Sequence, residues 1–191
     1  MLKGKTKYGK TALLRPMKIS ESEVYRRWFN DPEVTQSLVT HVTQVPPALI
    51  TKEEEKKTVR QFITSPTDKT FVIEAEGKPI GACGLHKIDR IHRTARVAIT
   101  IGEKDYWNQG YGTAVTRMLI NYGFDELGLE CISSSALEFN KPSIKMLRKL
   151  GFREESRSHK AVTRKRVTDE KEQHWDVLHF VLLRDEWAKN R

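Results

Sequence analysis

The sequence predicts an α/β fold, a mixed central β-sheet with helices on both faces. Two periods and their order carry this expectation. Residues 94–101 alternate cleanly, with Ala95, Val97, Ile99 and Ile101 on one face and Arg96, Ala98 and Thr100 on the other. Shortly afterwards Val115, Met118, Leu119 and Tyr122 recur at helical spacing. Along the chain the order is strand, two helices, three strands, helix, strand, helix, then strand or hairpin. This order places helices against a sheet that is neither purely parallel nor purely antiparallel.

The first strand is read at 11–16, stopped by Pro16. Ser20 with Glu23 forms a capping-box pattern opening a helix to about Asn30, ended by Asp31-Pro32. Residues 36–50 show no period and read as a loop. Thr51 with Glu54 repeats the capping pattern before Val59, Phe62 and Ile63. A hairpin follows, with strands at 71–75 and 80–88 joined through Glu76-Gly77-Lys78-Pro79. The helix after the alternating strand ends near Gly128, and 131–136 is a short strand. Asn140-Lys141-Pro142-Ser143 opens a helix closed by Gly151, with Phe152 placed for the contact that accompanies such a cap. The last strand, 175–183, is too continuously apolar for a sheet edge.

At 191 residues, with 38% hydrophobic and 31% charged residues, the chain suits one globular domain over 1–191. It shows neither a spanning segment nor a secretory leader, so a cytoplasmic, membrane-free protein is expected. Cys83 and Cys131 are expected as reduced thiols, and no metal site is expected. The net charge of +9 favours anionic partners without choosing among them. Six Lys/Arg and no acid lie in residues 1–18. The basic stretch 1–10 is expected as a frayed, solvated tail, or as a surface for transient contact with RNA or the ribosome.

The most informative stretch is Gln109-Gly110-Tyr111-Gly112-Thr113, where a strand turns into a helix. A helix N-terminus carries amide groups with no internal partner, and glycines let an anion reach them. A dinucleotide fold would place three glycines after the first strand, and a P-loop would need Gly-Lys-Ser/Thr. Neither pattern is present.

With Tyr106-Trp107-Asn108 before that turn, Tyr122-Gly123-Phe124 after it, Asn140-Lys141-Pro142-Ser143, Leu150-Gly151-Phe152, His174-Trp175-Asp176 and 184–187, the chain resembles the GCN5-related N-acetyltransferase (GNAT) superfamily. Within it, the chain is similar to the ribosomal-protein alanine/serine N-acetyltransferase branch. The resemblance implies a sheet splayed at the coenzyme A site, acetyl-CoA as acyl donor and a primary amine as acceptor, a protein N-terminus or a small molecule. By the same resemblance Gln109, Gly110, Tyr111, Gly112 and Thr113 form the pyrophosphate loop. Val97, Ile99 and Ile101 lie on the strand whose backbone pairs with pantetheine, and Asn140 and Ser143 lie near the thiol end. Two departures affect catalysis: Arg96 stands where a glutamate is frequent, and Leu147 stands where some relatives have a tyrosine that serves as general acid.

For acid–base work the chain offers His86 and Glu103 as bases and Ser143 as a hydrogen-bond donor to the leaving sulfur. Each has a plainer reading: a packed histidine, a turn glutamate, a helix-capping serine. Arg96 either lines the amine groove, favouring acceptors with a nearby carboxylate, or packs against Glu74 or another acid. Two other functions compete, a coenzyme A-binding module without turnover and an RNA- or ribosome-associated protein. A monomer or a homodimer fits equally well.

Overall fold

The computed structural model describes residues 1–39, 49–165 and 172–189. In chain order the elements are β1 (Leu2–Lys5), β2 (Thr11–Pro16), α1 (Ser22–Phe29), α2 (Pro32–Thr35), α3 (Lys52–Thr64), β3 (Lys69–Ala75), β4 (Lys78–Asp89) and β5 (Thr94–Ile101). There follow α4 (Tyr111–Asn121), β6 (Cys131–Leu137), α5 (Lys141–Lys149), β7 (Arg153–Lys165), β8 (Glu172–Leu183) and α6 (Arg184–Lys189). The strands make one sheet in the order β1-β2-β3-β4-β5-β6-β8-β7. Every pairing is antiparallel except β5 with β6. The mixed sheet with helices on both faces is the architecture the sequence predicts.

The alternation of side chains across this sheet creates two cores. Ala95 and Val97, Leu85, Ile132, Phe180 and Leu182 pack with Val115, Leu119 and Phe124 on one face. On the other, Val72 packs with Tyr25, Trp28, Val34 and Val59 of the α1–α3 layer. The Thr51–Glu54 capping box closes reciprocally at the start of α3. β8 lies between β6 and β7, so the expectation that it is no edge strand holds.

Several expectations are corrected. The basic stretch 1–10 is not a frayed tail: β1 pairs with β2 over four residues, and Gly4 lies beneath Met118 of α4. Ser20 caps nothing, because the chain runs as a 3-10 turn through Ile19–Glu21 before α1. Glu23 instead pairs with Arg26, while Glu21 is drawn into a cluster with Arg15 and the Tyr25 hydroxyl. Asp31-Pro32 ends α1 but also starts α2, Asp31 accepting from the Glu33 amide at 2.9 Å and proline occupying the first turn. The helix of α4 loosens into a π-turn at Tyr122–Glu126. Most of the loop expected at 36–50 lies outside the described residues. The polar stretch after Phe152 is the long edge strand β7, exposed on both faces at 153–161 and so without a readable period.

Candidate active site in the splay of the sheet

The parallel pairing of β5 with β6 lasts only three residues, Thr94↔Cys131, Ala95↔Ile132 and Arg96↔Ser133. Beyond them the two strands diverge. β5 stays paired with β4 as far as Ile101, and β6 stays paired with β8 as far as Leu137. The Ala95 carbonyl accepts from the Ser133 hydroxyl and the Val97 carbonyl from the Ser134 hydroxyl, both at 3.3 Å. These bonds show that the odd residues of β5 turn their backbone groups toward β6. By alternation Ile99 presents its amide and carbonyl to the open V, where no strand among the described residues pairs with it. Ile101 does the same, its carbonyl accepting from the Trp107 indole at 2.9 Å.

The V opens toward the N-terminus of α4. Gly110 caps this helix at φ 83°, a conformation that suits glycine, and Asn108 before it has φ 59°. Among the described residues no acceptor meets the first-turn amides of Tyr111, Gly112 and Thr113. A Cβ on Gly112 would come near only the Met146 sulfur of α5, at 3.3 Å. The glycine therefore keeps the helix start open, bounded on that side only by the end of a flexible side chain that an added Cβ would press. The other side chains of the turn are committed to scaffold. Gln109 accepts from Lys10 and donates to the Asp105 carbonyl. Tyr111 is buried against Tyr106, at 5.6 Å between ring centroids, so it offers the site only its backbone.

The β1–β2 turn packs against this loop. A Cβ on Gly110 would stand 3.4 Å from Thr6 and 3.5 Å from Lys7. Lys7 and Lys10, read from sequence as tail residues, thus lie beside the amides of α4. Only the long-range β1 pairing brings them there.

At the start of α5, Asn140 accepts from the Ser143 amide at 3.2 Å and donates to the Ser37 carbonyl. Asn140 is therefore the cap. The Ser143 hydroxyl has no partner among the described residues.

Of the three catalytic candidates, Glu103 is committed elsewhere. Glu103 is fixed by Arg27 and by the Trp28 indole at 2.8 Å. It lies past the far end of β5, seven residues and roughly 20 Å of extended chain from Arg96. Its place is structural. His86 lies opposite Arg96 on β4 and on the same face. Its Nδ1 meets Asp68 at 3.1 Å, and its ring packs edge-on to Phe62 of α3. Burial holds the imidazole below its ordinary pKa against the pull of Asp68, and Arg96 adds to the lowering. Nε2 lies over Gly84, where an added Cβ would approach it to 3.0 Å and the Lys69 carbonyl to 2.6 Å.

Arg96 does not pair with Glu74, which Arg15 holds at 2.7 Å. Among the described residues it has no hydrogen bond or ion pair, and burial lowers its pKa. It lines an open cleft of about 320 Å³ with Ser133, Ser135, Ser158 and His179. Sequence reasoning missed these partners. The signals were a serine run in β6 that alternation splits between faces, and a lone histidine inside the apolar run of β8.

Cys83 is 3% exposed and its thiol is pushed well up by burial. Among the described residues no group of three His, Cys, Asp or Glu converges as a metal site, and no helix is long and apolar enough to cross a membrane.

This geometry has known counterparts. The model of the acetyltransferase (GNAT) domain matches residues 12–153, from β2 to the start of β7. The N-acetyltransferase p20 of Bacillus licheniformis is 27% identical over 191 residues, covering 96% of this chain and 98% of that protein. The spermidine N(1)-acetyltransferase of Escherichia coli K12 is 31% identical over 92 residues, covering 48% and 49%. Among solved structures, the spermidine N-acetyltransferase of Vibrio cholerae, in complex with CoA and spermine, superposes with a TM-score of 0.79. It covers 93% of this chain and 98% of that one at 18% identity, a likeness of fold. Matched from its second strand through the splay and both site helices, the chain belongs to the GNAT acetyltransferase family.

Proposed function

We propose that this protein is an N-acetyltransferase that carries acetyl from acetyl-CoA directly to a primary amine. The observation that carries this reading is the V between β5 and β6, which ends on the first-turn amides of α4, uncapped by any side chain among the described residues. An extended pantetheine arm fits as a surrogate strand along Ile99 and Ile101, meeting the Ile99 amide and carbonyl and the Ile101 amide, while the Ile101 carbonyl already accepts from Trp107. The pyrophosphate fits the α4 amides, where the helix field and Lys7 and Lys10 favour negative charge.

Acetyl-CoA supplies an acetyl group activated by its sulfur. The amine nitrogen forms the new C–N bond as the C–S bond breaks; one proton leaves the amine, and the thiolate takes one up. His86, kept neutral by burial and aligned by Asp68, accepts the amine proton at Nε2, directly or through one water. Ser143, whose hydroxyl has no partner among the described residues, donates to the departing sulfur. Direct transfer accords with the burial of Cys83, which removes it as a nucleophile.

The family resemblance favours a protein N-terminus as acceptor, and transient ribosome association is the companion proposal. Salt-dependent co-sedimentation with ribosomes tests the latter. Calorimetric titration with acetyl-CoA, followed by an acetylation assay across peptides, amino acids and polyamines, tests the main reading. Micromolar binding with turnover of at least one amine class is expected. Binding with no transfer to any amine would make the chain a coenzyme-binding module.

A further inference from the structure

On the face of β5 opposite α4, the splay opens into a second feature that coenzyme binding does not explain. Arg96 sits at the apex, on the last residue pair before β5 and β6 separate. Side by side across the same face run Ser133 and Ser135 of β6, His179 of β8 and Ser158 of β7, all lining the cleft with Arg96. The His179 ring bridges two hydroxyls, Nδ1 to Ser135 at 3.0 Å and Nε2 to Ser158 at 2.8 Å. A neutral imidazole donates through one nitrogen and accepts through the other. Whichever tautomer is present, one of the two serines accepts from the ring and keeps its own hydrogen for another acceptor. A half-buried guanidinium without a partner among the described residues is costly, and its planar fork matches a carboxylate.

We propose that this cleft is a carboxylate subsite, and that the acceptor is an amine bearing a carboxylate a few bonds from its nitrogen, as in an amino acid or an acidic peptide terminus. The inference rests on the acetyl-transfer reading for the place of the amine, but anion binding in the cleft does not depend on it. Arg96 follows Ala95 and precedes Val97, at the inner end of the strand edge assigned to pantetheine. An amine anchored at Arg96 therefore lies next to the acetyl end rather than the phosphate end. The cleft volume, about 320 Å³, suits a group of amino-acid size.

The charge count selects among anions. One cation and a few hydroxyl donors suit a monoanion. Glu155 of β7 stands on the exposed wall of the cleft without pairing with Arg96, and it opposes a second negative charge. A phosphate dianion would need more positive charge than the cleft holds. A polyamine would place its cations against Arg96.

Two measurements test the proposal. In the first, each of several amino acids and short peptides is compared with its own carboxamide as acceptor. The acid is expected to exceed the amide in kcat/KM by roughly tenfold, chiefly through KM, and Arg96→Gln is expected to bring the ratio near one. Arg96→Lys keeps the charge without the fork and should retain only part of the preference. In the second, butyrate, which has no amine to acetylate, is titrated into the protein while the His179 imidazole is followed by NMR. A saturable shift is expected in the wild type, weakened at least fivefold in Arg96→Gln and Ser135→Ala, and strengthened in Glu155→Gln. Equal use of acid and amide, or a butyrate response indifferent to Arg96, would overturn the subsite while leaving acetyl transfer in place. Failure of every amine together with failure of coenzyme binding would overturn the acetyl-transfer reading, and the butyrate titration would still decide the subsite.

Discussion

Ser143 and Asn140 show how a hydrogen-bond direction separates a structural residue from a chemical one. The sequence left two roles open for Ser143, and the structure gives the capping role to Asn140. Asn140→Ala should therefore cost about 1 kcal/mol of stability. Ser143→Ala should leave the melting temperature unchanged and lower kcat by roughly tenfold with coenzyme affinity retained. An unaltered single-turnover rate in Ser143→Ala would remove the serine from the chemistry. Glu55 of α3 makes a second case. It is 3% exposed, and burial raises its carboxyl to about 7. Because the folded state holds this proton more tightly than the unfolded chain, Glu55 weakens stability as pH rises from the ordinary glutamate range through about 7. Glu55→Gln should raise the melting temperature at pH 8, by about 2–4 °C for each kcal/mol relieved, and lose that advantage at pH 5. An equal gain at both pH values would show that packing, not charge, is responsible.

The strand-to-helix turn before α4 was legible from its glycines, and the start of α3 from its capping box, because both signals are local in sequence. β7 was not legible, because an exposed edge strand carries no apolar period. The role of the first ten residues was hidden for a different reason: the pairing of β1 with β2 delivers Lys7 and Lys10 to a turn a hundred residues away. This placement yields a prediction about the turn as a unit. Gly112→Val should fold, because a Cβ there meets only the flexible Met146 side chain, yet it fills the space in front of the α4 amides. Its affinity for acetyl-CoA should fall by two orders of magnitude or more, since burying an unsatisfied phosphate contact costs several kcal/mol (about 1.4 kcal/mol per tenfold). Lys10→Ala should weaken coenzyme binding only severalfold, an effect that salt diminishes. Unchanged calorimetric affinity in a folded Gly112→Val variant would move the phosphate site elsewhere.

Taken whole, the molecule is a continuous sheet with one interruption. Five of its strands continue without a break from β1 through β5 on one side, and β6, β8 and β7 form a second block, joined by three parallel residue pairs. The α1–α3 layer packs under the first block, and α4 lies across it from β1 to β5 on the opposite face. Such a seam leaves backbone donors and acceptors inside a sheet, an arrangement that costs stability unless water or a ligand completes the ladder. The consequence is measurable at single amides. Ala98 turns its amide toward β4 and is protected in the free protein, whereas Ile99 turns its amide into the V and should exchange readily with solvent. Saturating coenzyme A should slow exchange at Ile99 by at least tenfold and leave Ala98 nearly unchanged, because only the former gains a partner. Gly112→Val should show the free pattern for both residues at the same coenzyme concentration. If Ile99 is already protected in the free protein, β5 has another partner and the V is closed. If coenzyme instead slows Ala98 and Ile99 equally, the ligand stabilises the sheet globally without lying along β5, and the surrogate-strand assignment fails.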